Sequence, residues 1–331
     1  MSQIKFNQDG TINFGDYTLT FTDEGFEFDG NILATEYEEN WLFGGTVSGY
    51  ASGGEISGIA SNVIDKFSFA ADGNATDVGD LTLPYNNGSG VSSSRAGYVV
   101  GGRTNAPAYN IGTIMKFSFA SDGNATDVGT ADTGWSGAGQ SSGTNGYTSG
   151  ATAPQIAGQA TVAEIHKFPF ATDGNTTDVG DLTNTVKLAT GQSSLVSGYV
   201  SGGNTPASNV INKFSFATDG NATDVGDLTV GRFDGAGQSS TESGYASGGQ
   251  SPGTTNVIDK FPFASDGNAT DVGDLLQVGS YYEGQSSTAS GYVSGGPVSN
   301  TIQKFPFASD ANATDVGDLT VGRLRQAGQQ A

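Results

Sequence analysis

The sequence predicts an all-β fold: a six-bladed β-propeller preceded by a small N-terminal β-hairpin module. Three observations carry that expectation. The phrase Lys-Phe-Ser/Pro-Phe-Ala, followed with small variations by Asp-Gly-Asn-Ala-Thr-Asp-Val-Gly-Asp-Leu, begins at Lys66, Lys116, Lys167, Lys213, Lys260 and Lys304, in steps of 44 to 51 residues. A repeat of that length with strand-like composition reads as a ring of blades. The 331 residues include 52 glycines and only 14% charged residues, distributed as short apolar runs between turn signals, and no amphipathic helical stretch of useful length interrupts them.

Residues 1–40 do not repeat. Apolar alternation at Ile4 and Phe6, Ile12 and Phe14, Tyr17, Leu19 and Phe21, and Phe26 and Phe28 predicts short hairpins. The turns fall at Asp9-Gly10, Gly15-Asp16, Glu24-Gly25 and Asp29-Gly30. Forty residues rarely hold a core alone, so this segment is expected to be a docking or oligomerisation module. The competing reading is a cap on the propeller.

From residue 41 to 331 each unit offers four strand-like pieces. The first is Gly-Gln-Ser-Ser, at Gly139, Gly191, Gly237 and Gly284, with Gly90-Val-Ser-Ser as a variant. Small residues suit the innermost strand, where strands crowd near the axis. The second, seven residues later, is Gly-Tyr-Val/Ala-Ser-Gly-Gly and close variants, at Gly97, Gly146, Gly198, Gly244 and Gly291. In the third, as at 62–70, period-2 alternation puts Val63, Phe67 and Phe69 on one face and Ile64, Lys66 and Ser68 on the other. The fourth is Thr-Asp-Val-Gly-Asp-Leu-Thr, as at 223–229. Asp-Gly-Asn between the third and fourth pieces is turn chemistry, since Gly and Asn tolerate positive φ and Asp can bond its own backbone.

The first unit lacks its opening piece: Leu42 stands where the glycine belongs, seven residues before Gly49. The piece recurs as Ala327-Gly328-Gln329-Gln330-Ala331. Residues 327–331 are therefore expected to supply the innermost strand of the first blade and close the ring, removing its open edges.

The formal net charge is −21. The repeat aspartates, in the first copy Asp72, Asp77 and Asp80, supply 17 of the 34 acids, with Thr130 replacing one of them. So negative a surface repels phosphate backbones, which argues against nucleic-acid and anionic-membrane partners. No cysteine is present, excluding disulfides and thiolate metal sites. The N-terminal Met-Ser-Gln-Ile-Lys-Phe carries no basic-then-apolar leader, and no apolar run approaches the roughly 20 residues that span a bilayer. Synthesis in a cytoplasm is expected.

Asp72, Asn74, Thr76, Asp77 and Asp80 offer oxygen atoms at loop-like spacing, which raises calcium as a ligand. The alternate positions carry one charge only, and turn chemistry accounts for the same residues, so no cofactor or metal is assigned. Asn-Ala-Thr at Asn74, Asn124, Asn221, Asn268 and Asn312, with Asn-Thr-Thr at Asn175, matches glycosylation sequons and is read as turn structure. His166 is the only histidine, and no nucleophile–base set assembles around it. No catalytic residue is assigned, and a non-enzymatic protein is expected.

Strands alternate in direction, so the loops joining pieces one–two and three–four share one face of the propeller. These are near-constant. Loops two–three and four–one share the opposite, variable face. They include 103–110, 151–160, 250–255, 83–87, 132–136, 232–234 and 280–283, and carry Tyr85, Tyr109, Trp135, Phe233, Tyr281 and Tyr282. Aromatics on a rigid scaffold are typical recognition material for sugar rings and protein partners, so these six are the candidate ligand-binding residues.

The order of small strand, Tyr-x-x-Gly-Gly, aromatic strand and Leu-Thr-x-x-Arg resembles the kelch-type β-propeller repeat. Gly244-Tyr-Ala-Ser-Gly-Gly249 and Asp227-Leu-Thr-Val-Gly-Arg232 are the best copies. Val78, Val128, Val179, Val225, Val272 and Val316 stand near the place of the kelch tryptophan. The wording Lys-Phe-Ser-Phe-Ala-Ser-Asp-Gly-Asn-Ala-Thr-Asp-Val-Gly also resembles repeat proteins of marine tailed phages, including cyanophages. That resemblance implies a virion structural role as fibre, tail or capsid-decoration component, with localisation to the virion. Its implied partners are other virion proteins through residues 1–40, a host surface glycan or protein through the variable face, and further copies of the chain. The alternatives are a carbohydrate-active or oxidase-type propeller enzyme and a bacterial surface adhesin.

Overall fold

The computed structural model describes residues 44–105, 111–153, 160–204, 206–297 and 299–331, together with the backbone of five short strands between residues 4 and 34. The chain divides into two compact units, Met1–Trp41 and Leu42–Ala331. In the first, Ile4–Phe6, Thr11–Phe14, Tyr17–Thr22, Gly25–Phe28 and Asn31–Ala34 pair in sequence order as a five-stranded antiparallel sheet. The apolar alternation anticipated the first four strands. The fifth has no such pattern in the sequence.

The second unit is a six-bladed propeller, and every element named in it is a strand. Each blade is built on four antiparallel strands, lettered a to d from the axis outward, and blades 1 and 5 add a two-residue strand, Glu55–Ile56 and Gln250–Ser251. Blade 2 shows the plan: Ser89–Ser92, Ala96–Val100, Thr113–Ser118 and Thr126–Thr130. Blade 1 is completed from the far end of the sequence. Its strands b, c and d are Ser48–Ser52, Ile59–Ser68 and Thr76–Tyr85, and its strand a is Ala327–Gln330, with Gly328 opposite Ala51 and Gln329 opposite Tyr50. Closure by residues 327–331 is therefore as the missing glycine at Leu42 foretold.

The six a strands neighbour one another in a closed circle, and their glycines explain why. A Cβ on Gly90, Gly139, Gly191, Gly237, Gly284 or Gly328 would collide with the carbonyl oxygen of the corresponding glycine in the adjoining blade. Only glycine lets six backbones approach the axis so closely.

Side chains then bind each blade to the next. The strand-b tyrosine packs on both strand-c phenylalanines of the following blade. Tyr50 lies 5.4 Å from Phe117 and 4.9 Å from Phe119, and the contacts run round to Tyr292 on Phe67 and Phe69. Each buried ring contributes roughly 1.5–3 kcal/mol. Val78, Val128, Val179, Val225, Val272 and Val316 add partly buried surface to these six clusters. The strand-a glutamine donates to the tyrosine carbonyl of the next blade, as Gln192 Nε2 does to Tyr245 O at 2.9 Å. Blade 2 carries Val91 there. The serine that bonds the glutamine elsewhere is Val100 in that blade, so the polar pair is exchanged as a pair.

The Asp-Gly-Asn turns also work between blades. Asp72 pairs with Lys304 at 3.0 Å, Asn74 Oδ1 accepts from the backbone N–H of Asp318, and the same contacts recur round the ring. Asp77 accepts from the N–H of Gly79. The side chains considered as calcium ligands at Asp72, Asn74 and Asp77 thus already have partners. Among the described residues no group of three or more His, Asp or Glu is placed to hold a metal ion.

Phe67 and Phe69 share a face, as alternation requires, and Asp65 joins them there, fully buried. Its partner is Arg323 of blade 6, also fully buried, at 3.1 Å, with Thr320 Oγ1 donating at 2.7 Å. Asp259 meets Arg232 and Thr229 in the same way. The equivalent strand-c positions elsewhere are Met115, His166, Asn212 and Gln303. Those residues follow blades that carry no arginine at that place.

Candidate functional site

Strand d of one blade runs into strand a of the next across the variable face. These connections interlock with the b–c loops: Asn86 pairs with Arg103, Lys187 with Asn204, Phe233 with Gln250 and Leu324 with Glu55. Three residues before each axial glycine, the chain makes the same turn six times. Asn87, Ser136, Leu188, Asp234, Tyr281 and Arg325 all have φ between 56° and 66°. Their backbones form a closed hydrogen-bonded circle around the axis. Asn87 N donates to Arg325 O, Ser136 to Asn87, Leu188 to Ser136, Asp234 to Leu188, Tyr281 to Asp234 and Arg325 to Tyr281, at 2.7–3.2 Å.

A left-handed conformation costs a non-glycine residue about 1 kcal/mol. Glycine would relieve it, yet none of the six is glycine, and no two are alike. The ring therefore combines an invariant backbone with six different side chains at the mouth of the propeller. Sequence reasoning named only Tyr281 among them as a site residue. The signal was available in the fixed offset of three residues from Gly90, Gly139, Gly191, Gly237, Gly284 and Gly328, but nothing in the residue types themselves marks it.

The six aromatics named from the sequence separate. Trp135, Phe233 and Tyr281 lie half-buried on the variable face. Tyr109 falls outside the described residues. Tyr85 and Tyr282 are core residues, 1% and 6% exposed, which corrects their reading as exposed loop aromatics. The reason is reciprocal packing. Tyr85 stands five residues before its axial glycine and its ring fills the space over Gly88 and Gly102. Tyr282 stands two residues before its own and fills the space over Gly279 and Gly296. Each glycine of the pair Gly88 and Gly279 leaves room for the other position's tyrosine.

The electrostatics of the mouth are asymmetric. Arg325 stacks on Tyr281 at 4.3 Å and pairs with Glu55 at 3.0 Å, and Glu55 also accepts from Asn86 Nδ2. Asp234 is buried, and burial pushes its carboxyl up to about 7, with Arg325 pulling it back only in part. Beside this arc, Arg103 and Lys187 both lie over the Trp135 ring, at 4.8 and 5.2 Å from its centroid.

Beneath the mouth the axial glycines wall a polar cavity of about 70 Å³ whose lining includes Ser92, Ser141, Ser286, Gln330 and Glu283. Glu283 occupies a position held elsewhere by Ser89, Ala138, Thr190, Ala236 and Ala327. Burial raises its carboxyl to about 8, against hydrogen bonds from the backbone of Gly328 and Gly284. His166 is buried at a blade interface, 3.2 Å from Glu164, and burial lowers its pKa.

The opposite face is knitted by repeated contacts. Examples are Phe119 N to Arg95 O, Phe216 N to Val196 O and Phe307 N to Ala289 O. On the same face Gly45 pairs with Ser287. Neither protein-family models nor curated proteins match the chain.

Proposed function

We propose that the propeller is a non-enzymatic binding module whose variable face recognises a glycan or protein on a host surface, and that it is displayed on a virion. The single observation that carries the binding reading is the ring of positive-φ residues at the mouth. Six positions with one backbone geometry present six different side chains, bordered by Trp135, Phe233 and Tyr281. A purely architectural ring would be free to use glycine throughout. Residues 1–40 dock on other virion proteins or on further copies of the chain, as a sheet ending in two edge strands allows. The virion setting rests on the likeness of the repeat wording to tailed-phage repeat proteins.

A glycan and host-surface binding panel tests the binding reading, with the wild-type chain beside a Trp135→Ala, Phe233→Ala, Tyr281→Ala variant. Loss of binding with an unchanged melting curve is expected, and binding that survives all three substitutions overturns it. Catalytic turnover of a panel glycan would overturn the non-enzymatic reading. Mass spectrometry of purified particles tests the virion setting, which fails if the chain is missing from them.

A further inference from the structure

The propeller is strongly acidic overall, so the fate of each positive charge is informative. Twelve lysines and arginines have described side chains, and nine of them sit against carboxylates. Six of the nine are the repeat lysines and two are the buried Arg232 and Arg323. Arg325, on Glu55, is the ninth. The three cations with no carboxylate within ion-pair distance are Arg95, Arg103 and Lys187. Arg95 is exposed on the a–b turn of blade 2, on the constant face. Arg103 and Lys187 come from different blades, yet both are held over one ring, that of Trp135, and so lie within about 10 Å of each other.

We infer that Arg103, Lys187 and Trp135 form an oxyanion site that takes the carboxylate or sulfate group of an acidic glycan. The inference rests on the reading of the variable face as a recognition surface and names the ligand class. An aromatic face orients a cation without spending its hydrogen-bond donors. A carboxylate partner would neutralise the charge and occupy those donors. Both groups are therefore positioned and still able to make charge-assisted hydrogen bonds, which are about twice as strong as neutral ones. The net charge of −21 disfavours anions at long range, but screening confines that field to about 10 Å at 0.1 M salt. At the site itself the two nearby cations dominate. The half-buried aromatic surface of Trp135 and the partly exposed Asn204, whose backbone pairs with that of Lys187, suit a sugar ring.

The test uses the full chain against matched neutral, uronate-bearing and sulfated oligosaccharides and a poly-glutamate peptide, by calorimetry at low and high salt. Tighter binding of an acidic oligosaccharide than of its neutral match is expected. Arg103→Gln with Lys187→Gln is expected to weaken it at least tenfold, with unchanged binding of neutral sugars and an unchanged melting curve. Lys187→Arg keeps the charge and should retain most of the affinity, and Arg95→Gln should have no effect. A sulfate or a uronate preference identifies which oxyanion is read, and either supports the site. Equal binding of neutral and acidic sugars overturns the oxyanion site and leaves the recognition face standing. Binding of poly-glutamate alone overturns the glycan assignment. No binding by any probe counts against both.

Discussion

Two six-membered rings lie three residues apart in the sequence and obey opposite rules. The axial ring of Gly90, Gly139, Gly191, Gly237, Gly284 and Gly328 is uniform because a Cβ there would strike the next blade's backbone. The ring of Asn87, Ser136, Leu188, Asp234, Tyr281 and Arg325 is just as regular in backbone, with positive φ and continuous hydrogen bonds, yet its residue types share nothing. Identity is imposed where side chains have no space. Where they open on the mouth, only the conformation is imposed. A repeat protein can thus keep one architecture while composing an asymmetric surface, and strain retained at variable positions marks where that surface is.

The largest effect is expected from deleting residues 327–331. That removes Gly328 from the axial ring and the strand opposite Ser48–Ser52, leaving blade 1 with an open inner edge. A loss of more than about 5 kcal/mol, comparable to the whole stability of many domains, is expected, read as loss of a cooperative melting transition. An unchanged melting temperature would refute closure. Next in size, Gly191→Ala should cost about 3 kcal/mol through overpacking against Gly139. Leu188→Ser, three residues away, should change stability by less than about 1 kcal/mol. Equal effects in denaturant titrations would erase the distinction between the rings.

A third test addresses Glu283, which lies between the two rings in the sequence. Glu283 keeps its proton in the folded chain to about pH 8, while its ordinary value is 4.5. The unfolded chain loses that proton first, so the stabilising contribution is complete below pH 4.5, falls as pH rises to 8, and is gone above it. Glu283→Gln should therefore gain stability over the wild type at pH 8 and none at pH 4. The side chain is half-buried in the cavity wall, which trims the gain to roughly 1–3 kcal/mol. Parallel melting curves for the two proteins from pH 4 to pH 8 would contradict the assignment.

Much of the propeller was legible in the sequence because a repeat prints its period directly. The displaced strand could be read from one missing glycine at Leu42. The partnerships that hold the ring were not legible, because each joins residues in different blades. Asp65 looks like a surface acid on an apolar strand until Arg323 is placed against it, and Asp72 looks like a turn residue until Lys304 reaches it. Tyr85 and Tyr282 misled because loop position was equated with exposure. Their burial depends on Gly88 and Gly279, whose role emerges only when the two connections are superposed. At the candidate site, Trp135, Phe233 and Tyr281 were readable as aromatics in variable segments. Arg103 and Lys187 were not, since their significance lies in lacking the carboxylates that nearly every other cation has.

The composite first blade has a consequence for synthesis. Its strand b is complete at residue 52 and its strand a ends at residue 330. At about 5–20 residues per second a ribosome needs about 15–60 s to travel between them. Throughout that interval the nascent chain carries a finished tyrosine-bearing strand with no inner neighbour, while later blades accumulate behind it. Blade 1 is the first begun and the last finished, so the ring is in effect latched only as translation nears residue 330. A chain released before residue 327 would display an unpaired edge for chaperones or proteases to find, and only a chain that extends through residue 330 would conceal it.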